Sequence, residues 1–261
     1  MKRSTIKVYD AHLHMGHLSD ADIMQPFDVQ SFIQSHNVSG GAIMPTASIG
    51  GNDDFNLHLD LYKKASFEGL MPILYITPNF LECIKGRYDI ASLKFLGIKI
   101  HPDAVEYDRQ SLELVIKFAH RQNFPIFIHT GGKESCESIR FEYVIKKFPY
   151  QTFVLCHARP SDQAFYLLDK YPNVWVDTAF LPIEDLQCLI SEKNEKRILF
   201  GTDFPVNRWY PDLPCEDKWY EMQVADIQKN LPATMAENVL CNNYMRFKKQ
   251  YTNSLNLNQL C

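Results

Sequence analysis

Histidines and aspartates recur at points along this chain where strand-like segments end, and these residues can ligate a metal or move protons. Asp10, His12 and His14 stand in Asp-Ala-His-Leu-His. Lys99 and His101 stand in Gly-Ile-Lys-Ile-His-Pro, His129 in Phe-Ile-His-Thr-Gly, His157 in Val-Leu-Cys-His-Ala-Arg-Pro, and Asp203 in Leu-Phe-Gly-Thr-Asp-Phe-Pro. Strand side chains alternate, so residues two apart point the same way. His12 and His14 can therefore offer two imidazoles to one ion, and Lys99 and His101 share a face. His-x-His alone is a weak motif, and a single strand-end histidine is usually a hydrogen-bonded core residue. Five of the nine histidines sit at such ends, however. Several imidazoles plus a carboxylate, if they converge, make the ligand set of a divalent metal.

The elements that must position them alternate in type. Short apolar or β-branched runs fall at 5–9, 42–45, 73–77, 96–100, 125–129, 152–156, 174–177 and 198–201. Near-continuous apolar character predicts parallel strands covered on both faces. Helical spacing appears between them. Leu112, Val115, Ile116 and Ala119 follow it, as do Phe141, Val144, Ile145 and Phe148, and Ala164, Leu167, Leu168 and Tyr171. Asp108 or Ser111 is placed to cap the first of these helices and Ser161 the third. Pro125, Pro149 and Pro172 stop helices before the next strand. Eight strand–helix units in about 250 residues predict a (β/α)8 TIM barrel, whose chemistry lies at the C-terminal ends of the strands. An open doubly wound sheet is the alternative, but no G-x-G-x-x-G turn is present. The expected organisation is one barrel domain over 1–261, closed by an extra C-terminal helix near 232–248, with a frayed tail at 250–261.

Composition narrows the function. With 27 Lys plus Arg against 31 Asp plus Glu, the chain carries −4 and has no basic cluster for nucleic acid. No apolar run is long enough for a membrane span, so no membrane partner is expected. Seven cysteines, an odd number without a Cys-x-x-Cys pair, favour free thiols and a cytoplasmic setting.

These motifs, in this order, resemble the amidohydrolase superfamily of metal-dependent barrels, specifically its amidohydrolase-2 (amidohydrolase-related) branch. Asp-Ala-His-Leu-His, Gly-Ile-Lys-Ile-His-Pro, the two later strand-end histidines and Ile-Leu-Phe-Gly-Thr-Asp-Phe-Pro carry the resemblance. The segment from Glu237 to Phe247 is similar to that branch's closing helix. The resemblance implies zinc, or another divalent metal such as manganese. It puts His12, His14, His129 and Asp203 at metal positions and His157 at a second-metal or proton-transfer position. One ion is the favoured reading. In the two-ion alternative a carboxylated Lys99 bridges, with His129 and His157 on the second ion. A plain alternative for Lys99 is an ion pair with Asp103 or Glu106.

The implied reaction is hydrolysis of an amide, ester or lactone carbonyl in a small molecule by metal-activated water, with Asp203 and His157 catalytic. A decarboxylase of an unsaturated or aromatic acid is the alternative, and a non-catalytic metal-binding barrel is a third reading. TatD-type nucleases share the early His-x-His but place glutamate on the fourth strand, where this chain has Lys99. Substrate contacts are assigned to Lys99, His101, Arg159, Arg208 and Trp209. Asp10 could orient a ligand imidazole or be an ordinary strand-end carboxylate. The loops 46–54 and 204–217 are expected to wall the pocket, with Arg159 either clamping a substrate carboxylate or ion-paired within its loop. Cys156 and Trp175 are expected to pack in the core. A homodimer is among the assemblies open to such a chain.

Overall fold

A computed structural model describes residues 6–17, 23–24, 26–46, 69–79, 81 and 94–252. Eight parallel strands run in sequence order: β1 Val8–His17, β2 Val38–Pro45, β3 Leu70–Tyr75, β4 Gly97–Ile100, β5 Ile126–His129, β6 Phe153–Cys156, β7 Val174–Asp177 and β8 Ile198–Leu199. A two-residue strand, Ile23–Met24, pairs antiparallel with the end of β1. The ring closes between β8 and β1. Ala11 N–H donates to Phe200 O (2.8 Å), Asp203 N–H to His12 O (2.9 Å) and His14 N–H to Phe204 O (2.7 Å), and Leu13 bridges Phe204 in parallel. The fold is the expected α/β TIM barrel.

Helices α1 Pro26–Ser35, α2 Arg109–Arg121, α3 Glu142–Lys147, α4 Ser161–Lys170, α5 Ile183–Leu189 and α6 Glu216–Asn230 lie outside the strands. The outward side chains of the strands, such as Ile98, Ile128, Leu155 and Val176, bury against the apolar faces of the helices, including Val115, Val144 and Leu168. This is why the strands read as unbroken apolar runs. Asp108 caps α2 by accepting from Ser111 N–H at 2.7 Å. Ser161 does not cap α4. Pro160 holds the cap position, which makes Ser161 the first helical residue, and its hydroxyl donates to Asp185 instead.

The barrel interior is filled from below. The last described elements are α7 Ala233–Glu237, a π-turn at Asn238–Asn242 and α8 Asn243–Thr252, so the closing helix runs past the predicted 248 into the first residues of the expected tail, whose residues 253–261 lie outside the described ones. Tyr244, Phe247 and Tyr251 of α8 pack with Ala11, Ala42, Ile73, Phe127, Val154 and Leu199 in a second apolar cluster. Trp175 meets Phe247 edge-on there. Tyr9 stacks on Tyr244, whose hydroxyl donates to Gly41 O. This aromatic plug fills the barrel end opposite the C-terminal mouth. Cys156, on the inward face with this cluster, is buried as expected. Cys136, Cys156, Cys188, Cys215 and Cys241 are free thiols. Among the described residues no helix is long and apolar enough to cross a membrane.

Tyr244 is 1% exposed, and truncating a buried aromatic costs about 3–5 kcal/mol. Tyr244→Ala is therefore expected to lower the melting temperature by roughly 6–20 °C while leaving the mouth's ligands in place. Calorimetry with metal stoichiometry checks both halves.

Candidate active site

β1 runs through the whole Asp-Ala-His-Leu-His motif instead of stopping at Tyr9, and its register shifts between Asp10 and Leu13. That irregularity brings His12 and His14 to the mouth together. Gly201 gives His12 room, because a Cβ there would lie 2.8 Å from His12 Cβ. Asp203 follows β8 with φ +60°, a left-handed conformation that turns its carboxylate back over β1.

Three donor atoms converge as a result. Asp203 Oδ1 lies 2.8 Å from His14 Nε2 and 3.1 Å from His12 Nε2, and the two Nε2 atoms are 3.1 Å apart. All three side chains are buried. Among the described residues Asp203 Oδ1 has no hydrogen-bond partner beyond these two imidazole nitrogens. A divalent ion with nitrogen and oxygen ligands at about 2.0–2.2 Å holds them roughly 3 Å from each other. A cluster of lone pairs this close, with its carboxylate oxygen otherwise unsatisfied, fits such an ion.

His129 and His157 form an adjoining pair, Nδ1 to Nε2 at 3.1 Å. The His157 ring lies 4.9 Å from that of His12. His157 leaves β6 at φ +67°, so strand alternation does not govern its direction. Its Nδ1 lies 3.3 Å from Ala179 O. Burial holds the pKa of both imidazoles well below the usual histidine range, which keeps a lone pair free at neutral pH. His129 thus stands beside the compact trio and not within it. His101 stacks on His129 with ring centroids 3.8 Å apart, and burial drops its pKa to about 3.

Two further carboxylates divide the support of His12. Asp177, at the end of β7, accepts from His12 Nδ1–H at 2.9 Å and fixes the tautomer that points Nε2 into the mouth. Its other oxygen accepts from the backbone N–H groups of His157 and Ala179. Sequence reasoning missed Asp177, although its strand-end position carried the same signal as the residues singled out. Asp10 does not orient an imidazole. It accepts from His12 N–H (2.9 Å), Thr202 N–H (3.2 Å) and Thr202 Oγ1–H (2.6 Å), tying β1 to β8. Burial pushes its pKa up to about 7. Asp203 goes the other way: burial opposes ionisation, but His12, His157 and His14 hold its carboxyl well below the ordinary range.

A cavity of about 600 Å³ opens above these groups. Lys99, His101, His129, His157, Arg159 and Trp209 all line it. Lys99 is 1% exposed, and its Nζ has no hydrogen-bond partner among the described residues. The alternative of an ion pair with Asp103 or Glu106 is not formed, and Asp103 binds Lys133 at 2.5 Å instead. Arg208 is exposed on the turn Val206–Trp209 and does not line the cavity, whereas Val206, Trp209 and Tyr210 of the same loop do. Thr46 also lines it, and residues 47–54 of the other predicted wall lie outside the described residues.

The profile of the family described as Amidohydrolase matches residues 84–247. No curated protein sequence matches the chain. Several solved structures share its fold at low identity. A probable 2-pyrone-4,6-dicarboxylic acid hydrolase from Acinetobacter baumannii, with citric acid bound, aligns at TM-score 0.62 and 14% identity over 93% of this chain and 99% of that one. An amidohydrolase from Burkholderia multivorans with bound zinc aligns at 0.67 and 12%, over 93% and 99%. A 5-carboxyvanillate decarboxylase from Novosphingobium aromaticivorans with bound manganese aligns at 0.66 and 9%, over 94% and 97%.

Asp177→Asn can still accept the backbone N–H groups, but its amide opposes His12 Nδ1–H. Metal affinity is expected to fall about 10–100-fold, read by competition with a chromogenic chelator. Asp10→Asn, which touches no ligand nitrogen, is expected to lower the melting temperature with a much smaller effect on affinity.

Proposed function

Because the chain belongs to the amidohydrolase family, we propose that it is a metal-dependent hydrolase acting on an amide, ester or lactone carbonyl of a small organic molecule. The observation that carries this reading is the buried trio of His12 Nε2, His14 Nε2 and Asp203 Oδ1 at the floor of a cavity sized for a small molecule. These three residues would hold a divalent ion, zinc or manganese, with His129 and His157 beside it. Such an ion acts as a Lewis acid and makes water a nucleophile near neutral pH.

The chain's own groups supply the rest. Asp203 is held ionised by the imidazoles around it, so its carboxylate can take a proton from the attacking water and pass it to the leaving group. His157 lines the cavity with Nδ1 near Ala179 O and Nε2 beside His129 Nδ1, and the lone pair that its lowered pKa keeps available would serve it as a proton acceptor there. Asp177 keeps His12 in one tautomer throughout. Trp209 and Tyr210 form the rim that limits water entry and substrate width.

The buried, unpartnered Lys99 Nζ favours a second reading, a decarboxylase whose acid substrate brings its own carboxylate into the cavity. Chemistry at a common metal floor serves both reactions.

Exhaustive chelation is expected to abolish turnover, and stoichiometric zinc or manganese to restore it. Asp203→Asn is expected to reduce kcat by about 10²–10⁴-fold in protein with verified metal content; unchanged turnover would remove Asp203 from the proton path. Hydrolysis in ¹⁸O-water places label in the product acid, whereas decarboxylation releases carbon dioxide without that label.

A further inference from the structure

We propose that Arg159 is the specificity residue of this cavity and selects substrates carrying a carboxylate remote from the bond that reacts. The proposal rests on the reading of this cavity as the substrate site.

Arg159 lies two residues past His157, and its backbone is pinned from both sides. Its N–H donates to Thr130 Oγ1 at 3.0 Å, and its carbonyl accepts from Ser138 N–H (3.2 Å) and Ser138 Oγ–H (2.7 Å). Its aliphatic stem lies against Gly131. A Cβ at that glycine would come within 2.7 Å of Arg159 Cβ and 3.0 Å of Cδ, so residue 131 must lack a side chain for the arginine to lie there. The Phe180 ring flanks the guanidinium, 5.7 Å from its carbon to the ring centroid. These contacts fix the cation before any ligand arrives, which reduces the entropy lost on binding.

What they do not provide is an anion. Arg159 has no salt bridge among the described residues, and its Nε is buried without a hydrogen-bond partner. The acidic group on the same wall, Asp103, is neutralised by Lys133 at 2.5 Å. Lys99 Nζ, also unpartnered, adds positive charge deeper in the cavity. A buried donor without a partner is costly. A planar carboxylate matches the guanidinium fork in charge and in shape. Among the described residues, the loop ion pair that would have made Arg159 purely structural is not formed.

Calorimetric titration with phthalate and with neutral benzamide tests this, in metal-free and zinc-loaded protein. Phthalate is expected to bind at least tenfold more tightly than benzamide in both. Arg159→Gln should weaken phthalate by about 10–100-fold without changing benzamide, and Arg159→Lys should recover part of the loss. In the unaltered protein, phthalate should protect Arg159 from phenylglyoxal, read by peptide mass spectrometry, so the test survives a variant that does not fold. Equal phthalate affinity in wild type and Arg159→Gln, no protection, or no phthalate binding would overturn the proposal. Zinc stoichiometry is measured on the same samples. Failure to hold zinc would sink the metal-dependent reading alone, because the metal-free titration reports on Arg159 independently.

Discussion

Barrel closure and site assembly are one event in this protein. The hydrogen bonds that seal β8 against β1 flank the ligand residues: Asp203 N–H donates to His12 O, and His14 N–H to Phe204 O. Asp10 reinforces the seam from within by binding both the backbone and the hydroxyl of Thr202, 192 positions away. The ligand trio therefore cannot form in an open sheet. Holding His12, His14 and Asp203 this close and out of water carries a desolvation cost. The strand ladders elsewhere in the ring hold these donors together against that cost.

Three buried carboxylates surround one histidine, and environment alone separates their tasks. Asp177 faces the Nδ1–H of His12, and interaction with that imidazole keeps it ionised despite burial. Asp203 faces the Nε2 side, where the surrounding imidazoles hold its pKa low. At Asp10 desolvation outweighs the hydrogen bonds from Thr202 and the attraction of His12, and raises the pKa to about 7. From the sequence, Asp10, two residues from His12, stands open between orienting an imidazole and being an ordinary strand-end carboxylate. The structure gives that task to Asp177, which stands 165 residues away.

That exchange marks the limit of what could be read in advance. The eight strands, their order and the mouth residues were legible because strand burial leaves apolar runs and because barrel chemistry must sit at strand ends. Both are local or topological signals. Which carboxylate reaches which imidazole depends on the register shift in β1 and on left-handed turns at His157 and Asp203, and neither has a clear sequence signature when the residue is not glycine. Arg208 shows the same limit: the loop was correctly expected to wall the cavity, but a short 3₁₀ turn points Trp209 to it and leaves Arg208 outside.

Identity with the solved neighbours is at most 14% for the three compared, yet each spans nearly the whole chain. Such a pattern follows if the constraint resides in few places. The floor needs two imidazoles and a carboxylate at a strand seam, with Gly201 giving clearance for His12. The walls need only be continuous, and they are built by segments after the strands, which tolerate change. In this chain those segments place a pinned arginine over Gly131 and an aromatic rim at Trp209 and Tyr210. Reactivity would then be set by strand residues that the barrel cannot move without opening, and selectivity by loop residues that it can exchange freely. A substitution of a ligand side chain on the seam should consequently alter metal affinity, while one on the wall should alter ligand choice alone.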